Sequence, residues 1–214
     1  ATLLMQYREG LILGSACEAG ELFSAIVQGK TWNELKEIAS FYDFLEIQPI
    51  DNNRFMLENG TAKDEEQLRD FNRTVLKLGD ALHKPVVATG DVHFLEPEDS
   101  QYRAILMAGM GFSDADKQAP LYFKTTDEML KEFAYLGQKR AYEVVVENPN
   151  KIAELCEDIK PVPDDKCPPV IPGSADEISQ MANQKAIELY GDPLPQLVKD
   201  RLDAELIPII KNGF

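Results

Sequence analysis

The segment Lys84-Pro85-Val86-Val87-Ala88-Thr89-Gly90-Asp91-Val92-His93-Phe94 carries the strongest structural signal in the chain, because an apolar strand ends there in an Asp-x-His pair. Val86–Ala88 lacks polar alternation, which predicts a strand buried on both faces, as in a parallel sheet. Asp91 and His93 then stand at its carboxyl end, where parallel α/β folds carry their functional side chains. A carboxylate and an imidazole at this spacing suit a divalent metal ion. Because the pattern is short, a polar strand end with a surface histidine is the alternative.

A second apolar run lies upstream, at Leu11-Ile12-Leu13-Gly14-Ser15-Ala16-Cys17, and it predicts a strand that ends at Cys17. The expected helix after it opens with Glu18-Ala19-Gly20-Glu21, and acidic residues suit the positive end of a helix dipole. A lone cysteine is most often a small buried apolar side chain. At a strand end beside Asp91 and His93, Cys17 is also a candidate third metal ligand.

The net charge argues against one function for this chain on its own. Asp and Glu number 37 against 22 Lys and Arg, which gives a formal charge of −15 at pH 7. Affinity for nucleic acid comes largely from neutralised phosphates. So acidic a chain is not expected to bind DNA strongly, and we interpret most of the acids as solvated helix faces.

Length and cysteine content define the broad class of protein. With 214 residues, 44% of them apolar, the chain can bury a sizeable core in one or two domains. No run approaches the roughly 20 apolar residues that a membrane span needs, and no signal peptide is visible. Three unevenly spaced cysteines do not form a disulfide framework, so we expect free thiols and a cytoplasmic protein.

Residues 1–125 alternate between predicted strands and helices at a spacing typical of βαβ units. Thr31-Trp32-Asn33-Glu34 predicts a capping box at the start of one helix. Phe44–Gln48 is the next predicted strand, followed by a loop over residues 51–63. Glu46 and Gln48 share one face of this strand, which either lines a polar site or is the solvated face of an edge strand.

Two further helices are predicted on either side of the Asp-x-His strand. One begins at Asp64 and ends at His83, which we interpret as a capping or surface residue because a cation suits a helix C-terminus. The other opens at Pro97, a residue favoured in the first helical turn. Its predicted buried side comprises Tyr102, Ile105, Leu106 and Met110.

Residues 126–214 differ from the first part in being almost entirely helical by pattern. Five prolines, at positions 161, 163, 168, 169 and 172, predict an extended linker over residues 160–173. Two helices follow, and Pro208 is expected to kink or end the second of them. The sequence thus predicts an α/β first part and a helical second part.

Several long motifs resemble PolC-type DNA polymerase III alpha subunits. Gly10–Leu22 looks like the characteristic segment of the polymerase-and-histidinol-phosphatase (PHP) domain of that family, and Lys84–Phe94 resembles its final motif. The match continues through Tyr122–Leu130, Val146–Ala153 and Tyr190–Pro195. The resemblance covers essentially the whole chain, with only residues 51–63 looking variable.

The resemblance implies a partial PHP-type distorted β/α barrel, with only its last strands in residues 1–125, followed by a helical segment, 126–214, that leads into the polymerase palm. Cys17, Asp91 and His93 would be the ligands present here of a site for Zn, Mn or Mg ions. The remaining ligands, among them an HxH pair, would lie upstream, beyond an inserted exonuclease domain. The palm carboxylates that hold the catalytic Mg would lie downstream, so no polymerase catalytic residue is assigned in this chain.

The resemblance further implies a replicative DNA-directed DNA polymerase, a nucleotidyltransferase that acts through its full length. Its partners would be primer–template DNA, deoxynucleoside triphosphates, the sliding clamp and other replisome subunits, and the segment alone is expected to be inactive. No membrane association is expected. A half-barrel leaves strand edges open, which predicts pairing with a second copy of the chain.

Two alternatives stay open at this point. The chain could be a free-standing metal-dependent phosphoesterase of the PHP superfamily, although the helical tail after residue 125 argues against that. The PHP part could instead be a non-catalytic scaffold that braces the polymerase, which the small number of ligands in this chain would allow.

Overall fold

A computed structural model describes residues 2–162, 164–165 and 169–213. The chain divides into two compact units, Ala1–Glu157 and Asp158–Phe214. The first unit contains the strands and the hydrophobic core, and the second contains a pair of long helices. The fold is therefore mostly helical with a small parallel sheet, which agrees with a partial α/β domain, while a PHP-type barrel stays a prediction.

The sheet consists of two parallel strands, β1 (Leu45–Ile47) and β2 (Val86–Ala88). Leu45 pairs with Val86 and Ile47 with Ala88. All three residues of β2 are buried, as the absence of polar alternation predicts. The strands are parallel because a long helix connects them, so both carboxyl ends lie at one edge of the sheet.

Three helices form the core around this sheet: α2 (Glu21–Val27), α3 (Trp32–Ser40) and α5 (Glu65–Leu82). The predicted capping box begins α3, where the Thr31 hydroxyl accepts from the Glu34 amide and the Glu34 carboxylate accepts from the Thr31 amide. His83 ends α5 in the left-handed conformation at φ 53°, which confirms its interpretation as a capping residue.

Shorter elements connect these helices. Helix α1 (Thr2–Gln6) precedes the Cys17 segment, and a 3₁₀ turn (Ile50–Asn53) and α4 (Phe55–Glu58) lie between β1 and α5. The prediction of a plain loop over residues 51–63 was therefore wrong. Both turns pack inward, since Asn53 and Met56 are buried.

The Leu11–Cys17 run is not a regular strand, contrary to the prediction. A single parallel bridge joins Gly14 to Phe44, and the Leu13 carbonyl accepts from the amides of Asp43 and Phe44. Ala16 adopts a left-handed φ of 61°, which ends the extended backbone directly before Cys17. Apolar composition predicted burial here, but this backbone turn stops the ladder after one bridge.

The helix after the Asp-x-His segment also differs from expectation. A 3₁₀ turn (Pro97–Asp99) leads into α6 (Ser100–Gly109), as Pro97 predicts. The four side chains expected to be buried are each about two-thirds exposed; these are Tyr102, Ile105, Leu106 and Met110. Their periodicity predicted the helix correctly, but among the described residues of the first unit no element covers this apolar face.

Residues 126–157 belong to the first compact unit. They form α7 (Thr126–Glu132), a 3₁₀ turn (Ala134–Leu136), α8 (Gln138–Tyr142), a π-helical turn (Glu143–Glu147) and α9 (Asn148–Glu154). Phe133 and Val144 are completely buried in the same core as the sheet. The boundary between compact units thus lies at 157/158, and the division at 125/126 into PHP and palm-leading parts stays a prediction.

The second unit contains α10 (Ser174–Tyr190) and α11 (Gln196–Asn212), which pack against each other. Pro208 lies inside α11 and the helix continues to Asn212, so of the two expectations for Pro208 the helix end is excluded, while a kink stays a prediction. Of the predicted linker and thiols, Pro163, Cys167 and Pro168 lie outside the described residues. Cys17 and Cys156 are free. Across the ranges that the structure describes, no helix is long and apolar enough to cross a membrane.

Candidate metal-binding site

Asp91 and His93 lie in the turn that leaves β2, and the structure brings their side chains together. The Asp91 Oδ1 and His93 Nε2 atoms are 3.3 Å apart, and the two side chains are 38% and 45% exposed. Both donors are thus accessible to an ion from solvent. The predicted Asp-x-His pair is a real spatial pair at the carboxyl end of a buried parallel strand.

The backbone around this pair is fixed by a second parallel pairing that the sequence did not reveal. The amides of His93 and Phe94 both donate to the Leu121 carbonyl, at 2.8 and 3.3 Å, and Phe94 forms an isolated bridge with Tyr122. The partner segment holds only a short apolar run after Pro120, Leu121-Tyr122-Phe123. Three residues show no strand periodicity, so the sequence did not indicate this pairing.

Asp91 adopts a left-handed φ of 52°, a conformation uncommon for residues other than glycine but tolerated by Asp and Asn. The side-chain amide of Asn52 donates to the carbonyl of Gly90, the residue before Asp91, at 3.2 Å. Backbone conformations of this kind persist where surrounding contacts fix them, and they cluster at functional sites. The turn presents the carboxylate of Asp91 on the same side as the imidazole of His93.

Cys17 is half-buried at the end of the Leu11–Cys17 run, which forms one bridge, from Gly14 to Phe44 beside β1. Burial raises the pKa of the Cys17 thiol, and the carboxylates of Glu18 and Asp91 raise it further against the opposing effect of the Ala19 amide. The thiol is therefore neutral near pH 7 in the absence of an ion.

The three predicted ligands do not by themselves complete a metal site. Within the parts of the chain that the structure describes, no group of three or more His, Cys, Asp or Glu side chains is placed to hold a metal ion. The donor types nonetheless suit a divalent cation, since imidazole, thiolate and carboxylate are all zinc ligands. The residues present fit part of a site whose remaining ligands would come from elsewhere.

A polar network lies beneath the site, and sequence reasoning recognised only part of it. The half-buried Glu46 Oε1 accepts from the Thr89 hydroxyl at 2.6 Å and from the Gln48 amide at 3.2 Å. Ser15, which is 2% exposed, accepts from the Glu46 amide at 2.9 Å. Of the two interpretations of the Glu46 face, the structure favours a polar interior. Ser15 and Thr89 gave no signal, because hydroxyl residues are common in strand ends and turns.

Comparison with known proteins finds relatives that match the whole chain. No family model matches it. It is 56% identical over 213 residues, all of the chain, to a "DNA polymerase III PolC-type" of Clostridium perfringens and to one of Caldanaerobacter subterraneus subsp. tengcongensis. It is 46% identical over 214 residues, 99% of the chain, to a protein of that name in Bacillus subtilis. The chain spans 15% of the length of each of these relatives.

Proposed function

Because the chain is homologous over its whole length to a segment of PolC-type DNA polymerase III proteins, we propose that it is part of a replicative DNA-directed DNA polymerase. The observation that supports this is 46–56% identity over 99–100% of the chain. The polymerase would act on primer–template DNA and deoxynucleoside triphosphates with Mg ions held by residues outside this chain.

Primer extension tests the polymerase assignment. A recombinant protein of the relatives' length that contains this segment should extend a primed template when supplied with deoxynucleoside triphosphates and Mg²⁺. The 214-residue chain alone should not extend it, because no polymerase catalytic residue is assigned to it. A long protein that folds and binds primer–template without extending it would contradict the assignment.

We further propose that Asp91, His93 and Cys17 form the share of a PHP-type metal site that lies in this segment. The contact between Asp91 Oδ1 and His93 Nε2 at 3.3 Å supports it. A bound Zn, Mn or Mg ion would supply a Lewis acid for phosphoester hydrolysis. The chain's own contribution is to orient a carboxylate and an imidazole at the end of a rigid strand.

A scaffold role for the PHP part is the second candidate, favoured by the absence of a complete ligand cluster among the residues described. The double substitution Asp91→Asn, His93→Gln in the long protein distinguishes the two roles. A metal role predicts loss of bound metal with little change in primer extension. A purely scaffolding role predicts unchanged metal content.

The partners and location follow from the same proposal. A replicative polymerase would work in the cytoplasm with a sliding clamp and other replisome subunits. The charge of −15 makes this segment a poor DNA ligand by itself, so the DNA contacts would lie in other parts of the protein. A fluorescence-anisotropy titration of the 214-residue chain with duplex DNA should show no binding at physiological salt.

A further inference from the structure

We propose that Glu46 is a positioning residue of a Ser15–Glu46–Thr89 bridge, in which its carboxylate fixes the Asp91–His93 turn to β1 and its backbone amide holds the Cys17 segment through the Ser15 hydroxyl. The inference rests on the proposed metal site, because the two segments that the bridge joins are those that carry its candidate ligands. Glu46 itself is not proposed as a ligand. Its role is to keep donors from two separate stretches of chain at a fixed separation.

The first half of the bridge connects β1 to the Cys17 segment. The backbone amide of Glu46 donates to the Ser15 hydroxyl at 2.9 Å, and Ser15 is 2% exposed. Ser15 stands two residues before Cys17, and the Leu11–Cys17 run has only one backbone bridge to β1. Backbone pairing between the Leu11–Cys17 run and the β1 side of the sheet stops at Gly14. The Ser15 hydroxyl then makes the next contact that fixes this run against β1.

The second half connects β1 to the turn that carries Asp91. The Thr89 hydroxyl donates to Glu46 Oε1 at 2.6 Å, a distance typical of a hydrogen bond to an ionised carboxylate. Thr89 stands two residues before Asp91, and its amide donates to the Ile47 carbonyl at 3.1 Å. Two hydrogen bonds therefore hold Thr89 to β1. The Thr89 hydroxyl binds the Glu46 carboxylate, and the Thr89 backbone amide binds the Ile47 carbonyl.

One neighbouring side-chain amide contacts the Glu46 carboxylate, and a second holds the Gly90 carbonyl beside it. Gln48, which is 5% exposed, donates to Glu46 Oε1 at 3.2 Å, and Asn52 donates to the Gly90 carbonyl at 3.2 Å. The contacts converge on residues 89 and 90, immediately before Asp91. A half-buried carboxylate carries a desolvation cost that a hydrophobic residue would avoid. A role in orienting charged or metal-binding groups accounts for its presence here.

Both joined segments carry an unusual backbone conformation beside a candidate ligand. Ala16 has a φ of 61° and Asp91 a φ of 52°. Neither is a glycine, so each conformation is held against a steric preference by the contacts around it. The Ser15–Glu46–Thr89 bridge provides side-chain contacts adjacent to both positions.

Hydrogen exchange and thiol alkylation test the bridge without any metal. In Glu46→Ala, the amides of residues 89–93 should exchange at least about tenfold faster, because a charge-assisted hydrogen bond is lost. Glu46→Gln keeps a carbonyl oxygen for the Thr89 hydroxyl and should restore most of this effect. Ser15→Ala removes the hydroxyl that accepts from the Glu46 backbone amide, and the Cys17 thiol, followed by peptide mass spectrometry, should be alkylated faster in that variant.

Two variants serve as controls. Thr89→Val removes the donor with little change of shape and should match Glu46→Ala, with no added effect in the double variant. Glu37→Ala removes an exposed glutamate on α3 and should leave both rates unchanged. If Glu46→Ala and Thr89→Val leave the exchange rates of residues 89–93 at the wild-type values, or if Ser15→Ala leaves the alkylation rate of Cys17 unchanged, the bridge is overturned.

Metal affinity of the long polymerase separates this inference from the proposed function. If the wild type binds Zn²⁺ or Mn²⁺, Glu46→Ala should weaken binding by about tenfold or more, in the range known for residues that orient metal ligands, and Glu46→Gln should recover it. Unchanged affinity in Glu46→Ala would overturn the positioning role alone. A wild type that binds no metal would overturn the proposed metal site, while the exchange rates would still decide whether the bridge exists.

Discussion

A single buried amide on α5 ties the strand layer to the helices that follow it. Asn72 is 1% exposed, and its Nδ2 donates to the Gln48 carbonyl and to the Tyr135 hydroxyl, both at 2.9 Å. The guanidinium groups of Arg69 and Arg73 lie 5.7 and 5.6 Å from the Tyr135 ring centroid. Nothing in the local sequence distinguishes Asn72 from a polar residue on a solvated face, so only the packed structure shows this role.

Asn72→Ala should lower the free energy of unfolding by about 2 kcal/mol, because it leaves the buried Gln48 carbonyl and the half-buried Tyr135 hydroxyl without their donor. Tyr135→Phe removes only one of the two contacts and should cost about 1 kcal/mol. Urea denaturation of both variants measures the difference. An Asn72→Ala variant no less stable than Tyr135→Phe would contradict this assignment.

Asp43 gives a pH-dependent prediction. Its Oδ2 accepts from the Arg8 guanidinium and from the Leu13 amide, each at 2.6 Å. Partial burial alone would raise the pKa of Asp43, but these two donors outweigh it and hold the pKa below its ordinary value of 3.8. The ionised form is therefore favoured by folding.

Asp43→Asn should cost about 1 kcal/mol at neutral pH, a modest value because the side chain is 41% exposed. Since the pKa is lower in the folded state, the wild-type advantage is complete above the unfolded pKa and is lost as the pH falls through the folded pKa. Urea denaturation at pH 7, 5 and 3.5 should show the difference shrinking only at the lowest pH. A difference that grows in acid would contradict the ion pair.

At the scale of elements, periodicity predicted the helices well and predicted burial less well. Helices α5 and α6 both follow from apolar residues at intervals of three or four. In α5 this face is the core, where Leu78 is completely buried. In α6 the equivalent side chains lie in solvent, because whether an apolar face is covered depends on a partner element that spacing cannot specify.

The two helices should respond oppositely to truncation of an apolar side chain. Leu78→Ala should cost about 2–5 kcal/mol, as expected for a cavity in a packed core. Ile105→Ala, at a residue 68% exposed, should change the free energy of unfolding by less than about 0.5 kcal/mol. Equal losses in both variants, measured by urea denaturation, would show that α6 is covered in solution.

For the molecule as a whole, the sequence predicted the Asp-x-His pair at the end of β2, but it did not predict how the neighbouring segments pair with the chain on either side. The Asp91–His93 contact follows from strand end and spacing, as does the burial of Val86–Ala88. The single bridge at Gly14 depends on the left-handed Ala16, which no sequence pattern marks. Likewise, the pairing of Phe94 with Tyr122 joins two segments that lack strand periodicity, so the sequence did not predict this bridge next to His93.

The exposed face of α6 also predicts behaviour of the whole chain. Exposed apolar groups on one helix favour self-association, so the 214-residue chain should form dimers at micromolar concentration in sedimentation equilibrium. Ile105→Asp should shift it towards monomer, whereas the exposed Glu37→Ala should not. A wild-type chain that is monomeric at every concentration would contradict this expectation.

The most direct test of the proposed function is the metal content of the long polymerase, measured by plasma mass spectrometry beside the variant Asp91→Asn, His93→Gln and beside the 214-residue chain. We predict bound Zn, Mn or Mg in the wild type, a clear loss in the variant and little metal in the short chain, because its ligand set is incomplete. Equal metal content in the wild type and the variant would contradict the claim that this strand end holds a metal ion.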